Sequence, residues 1–270
     1  NAGMMVGISS VNFSNNPIEN FNGFYTASST YGSFSYLKYG AYRLYSQMVQ
    51  DSQLKMGKTI WVAGHSGPET AEDSRTHFGI FAPGVTQLFP KNHVINLHPW
   101  EYNEVPILLL AALSTNIPII ALHLTRPSIK IPNREKLSIP NYNESSKGAY
   151  ILKDYLSKQN RKGVIIVRGT MVINEIIKLF PILNELKLNI KIVVASSYTL
   201  FSMQSKRYKL SIIKENEWFD SMVITNTGIK LMNNWIKNDI VRDYSLSPDW
   251  DSRWRSGGSV EEIIDESRIS

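Results

Sequence analysis

Short, uninterrupted runs of apolar residues alternate along the chain with longer segments that have a helical period. The runs at 59–63, 94–97 and 118–124 have the length and the β-branched content of strands that are buried on both faces. Residues 101–114 form a helix candidate between the last two runs, with Pro106 near its first turn. Strands that alternate with helices in this way predict a parallel sheet with covered faces, and therefore an α/β fold.

The second half of the chain repeats this alternation on a smaller scale. Strand candidates lie at 164–167, 190–195 and 222–225. Helix candidates lie at 171–188, with Pro181 as an expected break, at 229–236, and after the capping-box pattern of residues 259–262. Residues 131–147 have two prolines, several asparagines and no periodicity, which is typical of a linker. We therefore expect one domain at 1–130, a linker at 131–147 and a second, smaller domain at 148–270.

Two segments near the amino end are predicted to be helices with a buried face. In residues 31–50 the apolar residues recur every three or four positions, so their stripe should face the core. This stripe comprises Phe34, Leu37, Ala41, Leu44 and Met48. Residues 2–8 are small and apolar, like the start of a buried helix, and residues 23–26 resemble a short strand.

The candidate chemistry follows the first strand. The run at 59–63 ends in Gly64 and His65, and the loop behind it carries Asp73 and His77. Parallel sheets collect ligand-binding groups past the carboxyl ends of their strands, and histidine moves protons near neutral pH. Four of the five histidines (His65, His77, His93 and His98) fall in this neighbourhood. Surface histidines on a long loop are an equally compatible interpretation, and the spacing fits no metal site.

Composition and charge narrow the class of protein. The 270 residues are 43% hydrophobic, which is ordinary for a globular chain, and they include no cysteine for a disulfide or a thiol nucleophile. The net charge of +6 is spread along the sequence, and its densest patch, residues 206–209, is best interpreted as a solvated helix face rather than a nucleic-acid site. The longest apolar runs are too short to span a bilayer and no signal peptide is visible, so we expect a soluble, cytoplasmic protein.

Four segments resemble the transketolase family. Gly64-His65-Ser66 and the segment 71–77 (Ala-Glu-Asp-Ser-Arg-Thr-His) are similar to the family's Thr-His-Asp-Ser turn and its Gly-Glu-Asp-Gly-Pro-Thr-His loop. Thr125-Arg126 stands where the family has Ser-Arg, and the segment 147–154 is similar to the Gly-Gly-Tyr-Val-Leu-Lys-Asp that opens its C-terminal domain. The Gly-Pro of the family loop is replaced by Ser74-Arg75, which is a departure from the pattern.

The resemblance implies a fold and a set of site residues. It implies a parallel-sheet, pyrimidine-binding domain for thiamine diphosphate, incomplete at its amino end, followed by a transketolase C-terminal-like α/β domain. By the same resemblance His65 and His77 are catalytic, Asp73 binds a substrate hydroxyl and Arg126 binds the phosphate of the substrate. Phe34 and Tyr36 would pack against the aminopyrimidine ring, although Phe34 also lies on the predicted core stripe.

The implied reaction is the transfer of a two-carbon ketol unit between sugar phosphates, in a homodimer that uses thiamine diphosphate and Mg²⁺. The sequence lacks the Gly-Asp-Gly…Asn loop that holds the diphosphate and the metal, and by alignment it also lacks the activating glutamate. We therefore expect the chain to be inactive alone, and a fragment, a processed product and one subunit of a split enzyme, with a separate chain for the diphosphate, are all compatible with the sequence. The alternatives are a related enzyme, dihydroxyacetone synthase or deoxyxylulose phosphate synthase, or a catalytically silent subunit.

Overall fold

The structure of the chain, a computed structural model, describes residues 1–64, 67–68, 79–126, 128–156, 159–254 and 259–267. Within these residues the strands form two sheets of four strands each. The first sheet is parallel throughout, in the order β1-β2-β4-β3. Its strands and helices are α1 (Ala2–Ser10), β1 (Thr26–Tyr31), α2 (Tyr39–Asp51), β2 (Thr59–Gly64), β3 (Val94–Leu97), α3 (Glu104–Leu113) and β4 (Ile119–His123).

The second sheet has the order β5-β7-β6-β8, and its edge strand β5 runs antiparallel to β7. Its strands and helices are β5 (Ala149–Lys153), β6 (Val164–Arg168), α4 (Thr170–Lys178), α5 (Phe180–Glu185), β7 (Lys191–Ala195), α6 (Tyr198–Ser202), α7 (Lys206–Ile212), β8 (Ser221–Thr225), α8 (Asp239–Asp243) and α9 (Val260–Ser267). Segments of 3₁₀ helix span Gly32–Lys38, Ala82–Leu88, Tyr142–Lys147, Asn216–Trp218 and Ile229–Trp235.

The predicted strands are confirmed because their patterns reflect burial on both faces. All residues of β4 and β7 are buried, as the continuous apolar runs indicated. The predicted break at Pro181 is confirmed as well, since α4 ends at Lys178 and α5 begins at Phe180. The capping box also forms: the backbone N–H of Ser259 donates to the Glu262 carboxylate (2.9 Å), and the N–H of Glu262 donates to the Ser259 hydroxyl (3.2 Å).

The predicted helix at 31–50 is correct only from Tyr39 onward, and its predicted buried face is wrong. Residues 32–38 form a 3₁₀ helix, and α2 follows it. Leu37 is 72% exposed and Leu44 is 61% exposed, whereas Tyr42 and Tyr45 are buried. Tyr42 stacks on Trp61 of β2 with ring centroids 4.9 Å apart, and the Tyr45 hydroxyl donates to the carbonyl of Gly57 (2.6 Å). Tyrosine therefore supplies the packing surface that the apolar pattern assigned to leucine.

Three other local predictions need correction. Residues 2–8 are helical, but α1 is not buried, since Met4 is 62% exposed and Ile8 is 42% exposed. The strand expected at 23–26 begins only at Thr26. The helix expected at 229–236 is a 3₁₀ segment. No helix among the described residues combines the length and the apolar character needed to cross a membrane.

A buried ionic network joins the segment 131–147 to both sheets. The Arg134 guanidinium donates to the carboxylates of Glu101 (2.8 Å) and Glu104 (2.9 Å), which lie just before and at the start of α3. The Tyr150 hydroxyl of β5 donates to Glu104 (2.6 Å) and accepts from the Trp100 indole N–H (2.7 Å). Desolvation raises the pKa of Glu104 to about 7, although its bonds to Tyr150 and Arg134 act in the opposite direction. The two sheets are therefore tied together through Arg134.

Candidate active-site edge

The carboxyl ends of three neighbouring parallel strands lie at one edge of the first sheet. Tyr31 at the end of β1 is paired with Gly64 at the end of β2, and Ala63 is paired with His123 at the end of β4. The backbone N–H of Leu124 continues this register by donating to the carbonyl of Ala63 (2.9 Å). The chain segments that leave these strands therefore start side by side, as expected for a ligand-binding edge.

The predicted site residues fall in two groups relative to this edge. His65 follows Gly64 directly in the sequence, but His65, Asp73 and His77 lie outside the described residues. Their assignment to the site stays a prediction. Phe34, Tyr36 and Arg126 are described, and all three follow strands that end at this edge.

Phe34 and Tyr36 lie in the 3₁₀ helix that follows β1. The Phe34 ring is half-buried and packs edge-to-face against Tyr31 at 6.2 Å, which places two aromatic rings at the carboxyl end of the strand. The Tyr36 side chain is 56% exposed. Phe34 is therefore only partly a core residue, and Tyr36 offers an aromatic surface that the chain itself leaves open.

Arg126 lies three residues beyond the end of β4 and is exposed. Its neighbour Thr125 is half-buried, so the backbone at this point is held close to the sheet. A guanidinium at the carboxyl edge of a parallel sheet is suited to an anionic group, because it offers a planar fork of donors. The position agrees with the predicted phosphate-binding role without testing it.

Lys38 is a polar residue of this region that the sequence analysis missed. Its side chain is only 7% exposed, and its ammonium donates to the carbonyl (2.8 Å) and the hydroxyl (2.9 Å) of Ser28 in β1. Burial lowers the pKa of Lys38 to about 8. The bonds of Lys38 to Ser28 stiffen the segment that carries Phe34 and Tyr36. In the sequence, the only indication of this role was the position of Lys38 next to the predicted apolar stripe.

The three histidines that the structure describes do not form one cluster. His93 precedes the amino end of β3 and bonds to Ser46 (2.6 Å), so it belongs to the opposite edge of the sheet. His98 follows the carboxyl end of β3 and stacks on His123, with ring centroids 4.5 Å apart. The Nε2–H of His123 donates to Oδ1 of Asn96 (2.8 Å). Sequence analysis overlooked His123 because it ends an otherwise apolar run.

Burial and the nearby charge of Arg168 both lower the pKa values of the stacked pair, that of His98 well below its usual range and that of His123 to about 3. Both rings are therefore neutral at physiological pH. They act as polar, uncharged groups at the carboxyl ends of β3 and β4, next to the second sheet.

No family model matches the sequence. The transketolase of Kluyveromyces lactis is 26% identical over 192 residues, which are 71% of this chain and 26% of the yeast protein. The solved transketolase of Pichia stipitis in complex with sedoheptulose 7-phosphate superimposes on 90% of the chain with a TM-score of 0.68 and 19% identity. The chain is similar to transketolases in sequence over 71% of its length and in fold over 90% of its length.

The chain spans only part of the length of the transketolases that it matches. It spans 26% of the Kluyveromyces lactis protein and 32% of the Pichia stipitis protein. A split-gene transketolase, described as an inactive β4 tetramer, matches 90% of this chain and 72% of its own length, with a TM-score of 0.54 and 13% identity. The predicted fold class, a parallel pyrimidine-binding-type domain followed by a C-terminal-type α/β domain, is confirmed by these structures.

One glycine of the family-like segment 147–154 has a clear structural role. Gly148 adopts a φ of 86°, and a Cβ at this position would lie 2.3 Å from the carbonyl oxygen of Ser197. The backbone N–H of Ser197 donates to the carbonyl of Gly148 (2.7 Å), which starts the pairing of β5 with β7. Only glycine combines this dihedral angle with so close an approach of two backbones.

Proposed function

We propose that the chain is the pyrimidine-binding and C-terminal part of a thiamine-diphosphate-dependent transketolase, which transfers a two-carbon ketol unit between sugar phosphates. The observation that supports this proposal is the register of β1, β2 and β4, since it brings Tyr31, Gly64 and His123 to one edge, and Phe34, His65 and Arg126 follow these strands in the sequence. A cytoplasmic location and a separate chain that holds the diphosphate and Mg²⁺ are parts of the same proposal.

The residues present fit the aromatic part of the cofactor. The Tyr31–Phe34 pair and the open face of Tyr36 provide an apolar surface of the kind on which an aminopyrimidine ring packs. Thiamine diphosphate supplies the carbanion chemistry of the reaction when it is bound. Among the described residues, no group of three or more His, Cys, Asp or Glu side chains could hold a metal ion.

The roles of the polar residues follow from their chemistry. His65 and His77 would donate to, or accept from, the hydroxyl groups of the donor sugar and stabilise the alkoxide that develops during transfer. Asp73 would bind a substrate hydroxyl, and the Arg126 guanidinium would hold the terminal phosphate. The Pichia stipitis transketolase was solved with sedoheptulose 7-phosphate, which supports sugar phosphates as the substrate class.

The proposal also includes pairing of two copies. Apolar residues of α1, of the 3₁₀ helix at 32–38 and of α2, among them Met4, Ile8, Leu37 and Leu44, are exposed, and water disfavours such side chains. A second copy that presents the same surface would cover it by two-fold symmetry. The split-gene relative is described as a tetramer, which supports assembly of chains of this size.

The catalytic assignment is tested by adding the chain to a complementary chain that carries the diphosphate-binding domain and measuring ketol transfer. His65→Ala and His77→Ala should each lower kcat by roughly 10²-fold, because positioned acid–base groups contribute about that much. His93→Ala is the matched control, since His93 lies at the opposite edge and should leave kcat unchanged. Full turnover in both His65→Ala and His77→Ala would refute the assignment and favour a silent subunit.

Arg126→Ala provides a second, independent readout in the same assay. A phosphate contact made in the ground state and the transition state alike should raise KM for phosphorylated sugars and leave kcat nearly unchanged. Lys130→Ala removes an exposed positive charge from the same segment and serves as its control. An unchanged KM in Arg126→Ala would remove the phosphate role from this residue.

A further inference from the structure

A small polar cavity lies between the two sheets, at the carboxyl ends of β3, β6 and β7. Its volume is about 70 Å³, which is enough for several water molecules or one small anion. The residues that line it include Thr86, Asn96, His98, Arg168, Thr199 and Asn234. The first three come from the first half of the chain and the last three from the second, so any occupant would touch both halves. Among the residues that the structure describes, none that lines the cavity has a carboxylate.

Arg168, the last residue of β6, is the charged group of this cavity. It is only 6% exposed. One terminal nitrogen donates to the Thr227 hydroxyl (2.6 Å) and the other makes a long contact to the carbonyl of Leu231 (3.4 Å), whereas Nε has no hydrogen-bond partner. Among the described residues no carboxylate pairs with Arg168, although its guanidinium is removed from water.

A buried cation without a counter-charge is costly, and the chain avoids that cost elsewhere. The Arg134 guanidinium forms ion pairs with two glutamates, and the ammonium of the buried Lys191 donates to the Glu217 carboxylate at 2.8 Å. Desolvation lowers the pKa of Arg168 to about 9, which leaves it charged at neutral pH. The stacked histidines nearby are neutral, so the positive charge of the cavity is not balanced by its neighbours.

A wider cleft of about 490 Å³ continues from the cavity towards the surface. It shares Thr86, Gln87, Asn96, Thr199 and Asn234 with the cavity and adds two further amides, one hydroxyl and one cation: Asn92, Asn233, Ser202 and Lys91. No acidic side chain lines the cleft among the described residues. Amides and hydroxyls both donate and accept, which is the chemistry that recognises the hydroxyl groups of a sugar.

We propose that the cavity between the two sheets binds a phosphate group, with the Arg168 guanidinium as its main ligand. The group is either free inorganic phosphate or the phosphate of a small sugar phosphate whose hydroxyls extend into the cleft. Arg168 supplies the unused Nε–H and the positive charge, and the neutral side chains of Asn96, His98 and Thr199 surround them. Because the lining comes from both halves of the chain, binding stabilises their packing. The proposal does not depend on the transketolase reaction.

The test is thermal unfolding of the purified chain at constant ionic strength, with chloride replaced by millimolar inorganic phosphate, ribose 5-phosphate or ribose. Inorganic phosphate should raise the Tm of the wild-type chain by about 2 °C or more, because a ligand that binds only the folded state stabilises it. Ribose alone should have no effect. The concentration that gives half of the maximal stabilisation is then compared for the two ligands. If this concentration is at least tenfold lower for ribose 5-phosphate than for inorganic phosphate, the site binds the ester. If the two concentrations are equal, the site binds the free ion.

Variants separate this site from the candidate active-site edge and from general salt effects. Arg168→Gln should lose the phosphate-dependent rise in Tm, whereas Arg126→Ala and the exposed Arg161→Gln should retain it. If Arg168→Gln does not fold, as judged by circular dichroism, Asn234→Phe decides instead, because it blocks the exposed rim and leaves Arg168 in place. Absence of stabilisation in the wild-type chain, or its persistence in the variant that decides, would overturn the proposal.

Discussion

At the scale of single residues, Arg134 should contribute more to stability than any exposed ion pair. It is the partner of the buried carboxylates of Glu101 and Glu104. We expect Arg134→Met to lower the free energy of unfolding by about 3–5 kcal/mol, because two buried carboxylates lose their counter-charge. Denaturant unfolding measures this loss. Lys178→Met, which breaks the exposed pair with Glu175, is the control and should change the free energy by about 0.5 kcal/mol or less. Equal effects of the two variants would contradict the prediction.

The buried histidine pair predicts a dependence of stability on acid. Burial and Arg168 lower the pKa of His123 to about 3 in the folded chain, whereas an unfolded histidine titrates near 6.5. Between these values the unfolded chain binds more protons than the folded chain, so the free energy of unfolding falls as the pH is lowered. The loss should approach about 1.4 kcal/mol per pH unit for His123 alone.

Urea unfolding at several pH values between 7 and 5 tests this prediction. His123→Gln removes the titrating ring, and the glutamine amide can still donate to Asn96. The stability of this variant should therefore depend less steeply on pH than the stability of the wild-type chain. His93→Gln is the control and should keep the wild-type dependence, because His98 and His123 remain. An identical slope in His123→Gln and the wild-type chain would show that the pair does not couple to folding.

At the scale of elements, the outer face of α2 predicts self-association. Leu44 is 61% exposed on this helix, beside the exposed apolar residues of α1. We expect the chain to be dimeric or larger at micromolar concentration, since contiguous exposed apolar surfaces mark interfaces. Leu44→Asp should shift sedimentation towards the monomer without loss of folded structure, whereas Leu186→Asp, at a site that is 62% exposed in the second half, should not. A wild-type chain that sediments as a clean monomer would contradict this expectation.

At the scale of the whole molecule, the chain should bind thiamine diphosphate weakly or not at all when no other chain is present. The aromatic rings near Phe34 offer a surface for the pyrimidine, but the sequence has no Gly-Asp-Gly…Asn loop for the diphosphate and the metal. Isothermal titration calorimetry with Mg²⁺ present should therefore detect little heat. Tight, Mg²⁺-dependent binding to the chain alone would mean that other residues hold the diphosphate.

Strands, helix breaks and helix starts could be predicted from the sequence, because their patterns lie within a few neighbouring residues. The apolar runs located β2, β4 and β7, because a strand covered on both faces must be apolar at nearly every position. Pro181 located the break between α4 and α5, and the pattern at Ser259 located the start of α9. The segment 147–154 also indicated the resemblance to transketolases, and its Gly148 adopts a positive φ, which favours glycine.

Contacts between distant segments of the chain determine which surfaces are buried and which charged groups lie close together. The sequence pattern predicted that Leu44 is buried in the core. In the structure Tyr42 stacks on the large ring of Trp61 in the sheet, so the face of α2 that carries Tyr42 is buried and Leu44 is exposed. In the same way, nothing near Arg168 in the sequence indicates that the packing of two sheets closes over it beside His98. Burial and long-range charge depend on contacts between distant segments, and such contacts leave no periodic trace in the sequence.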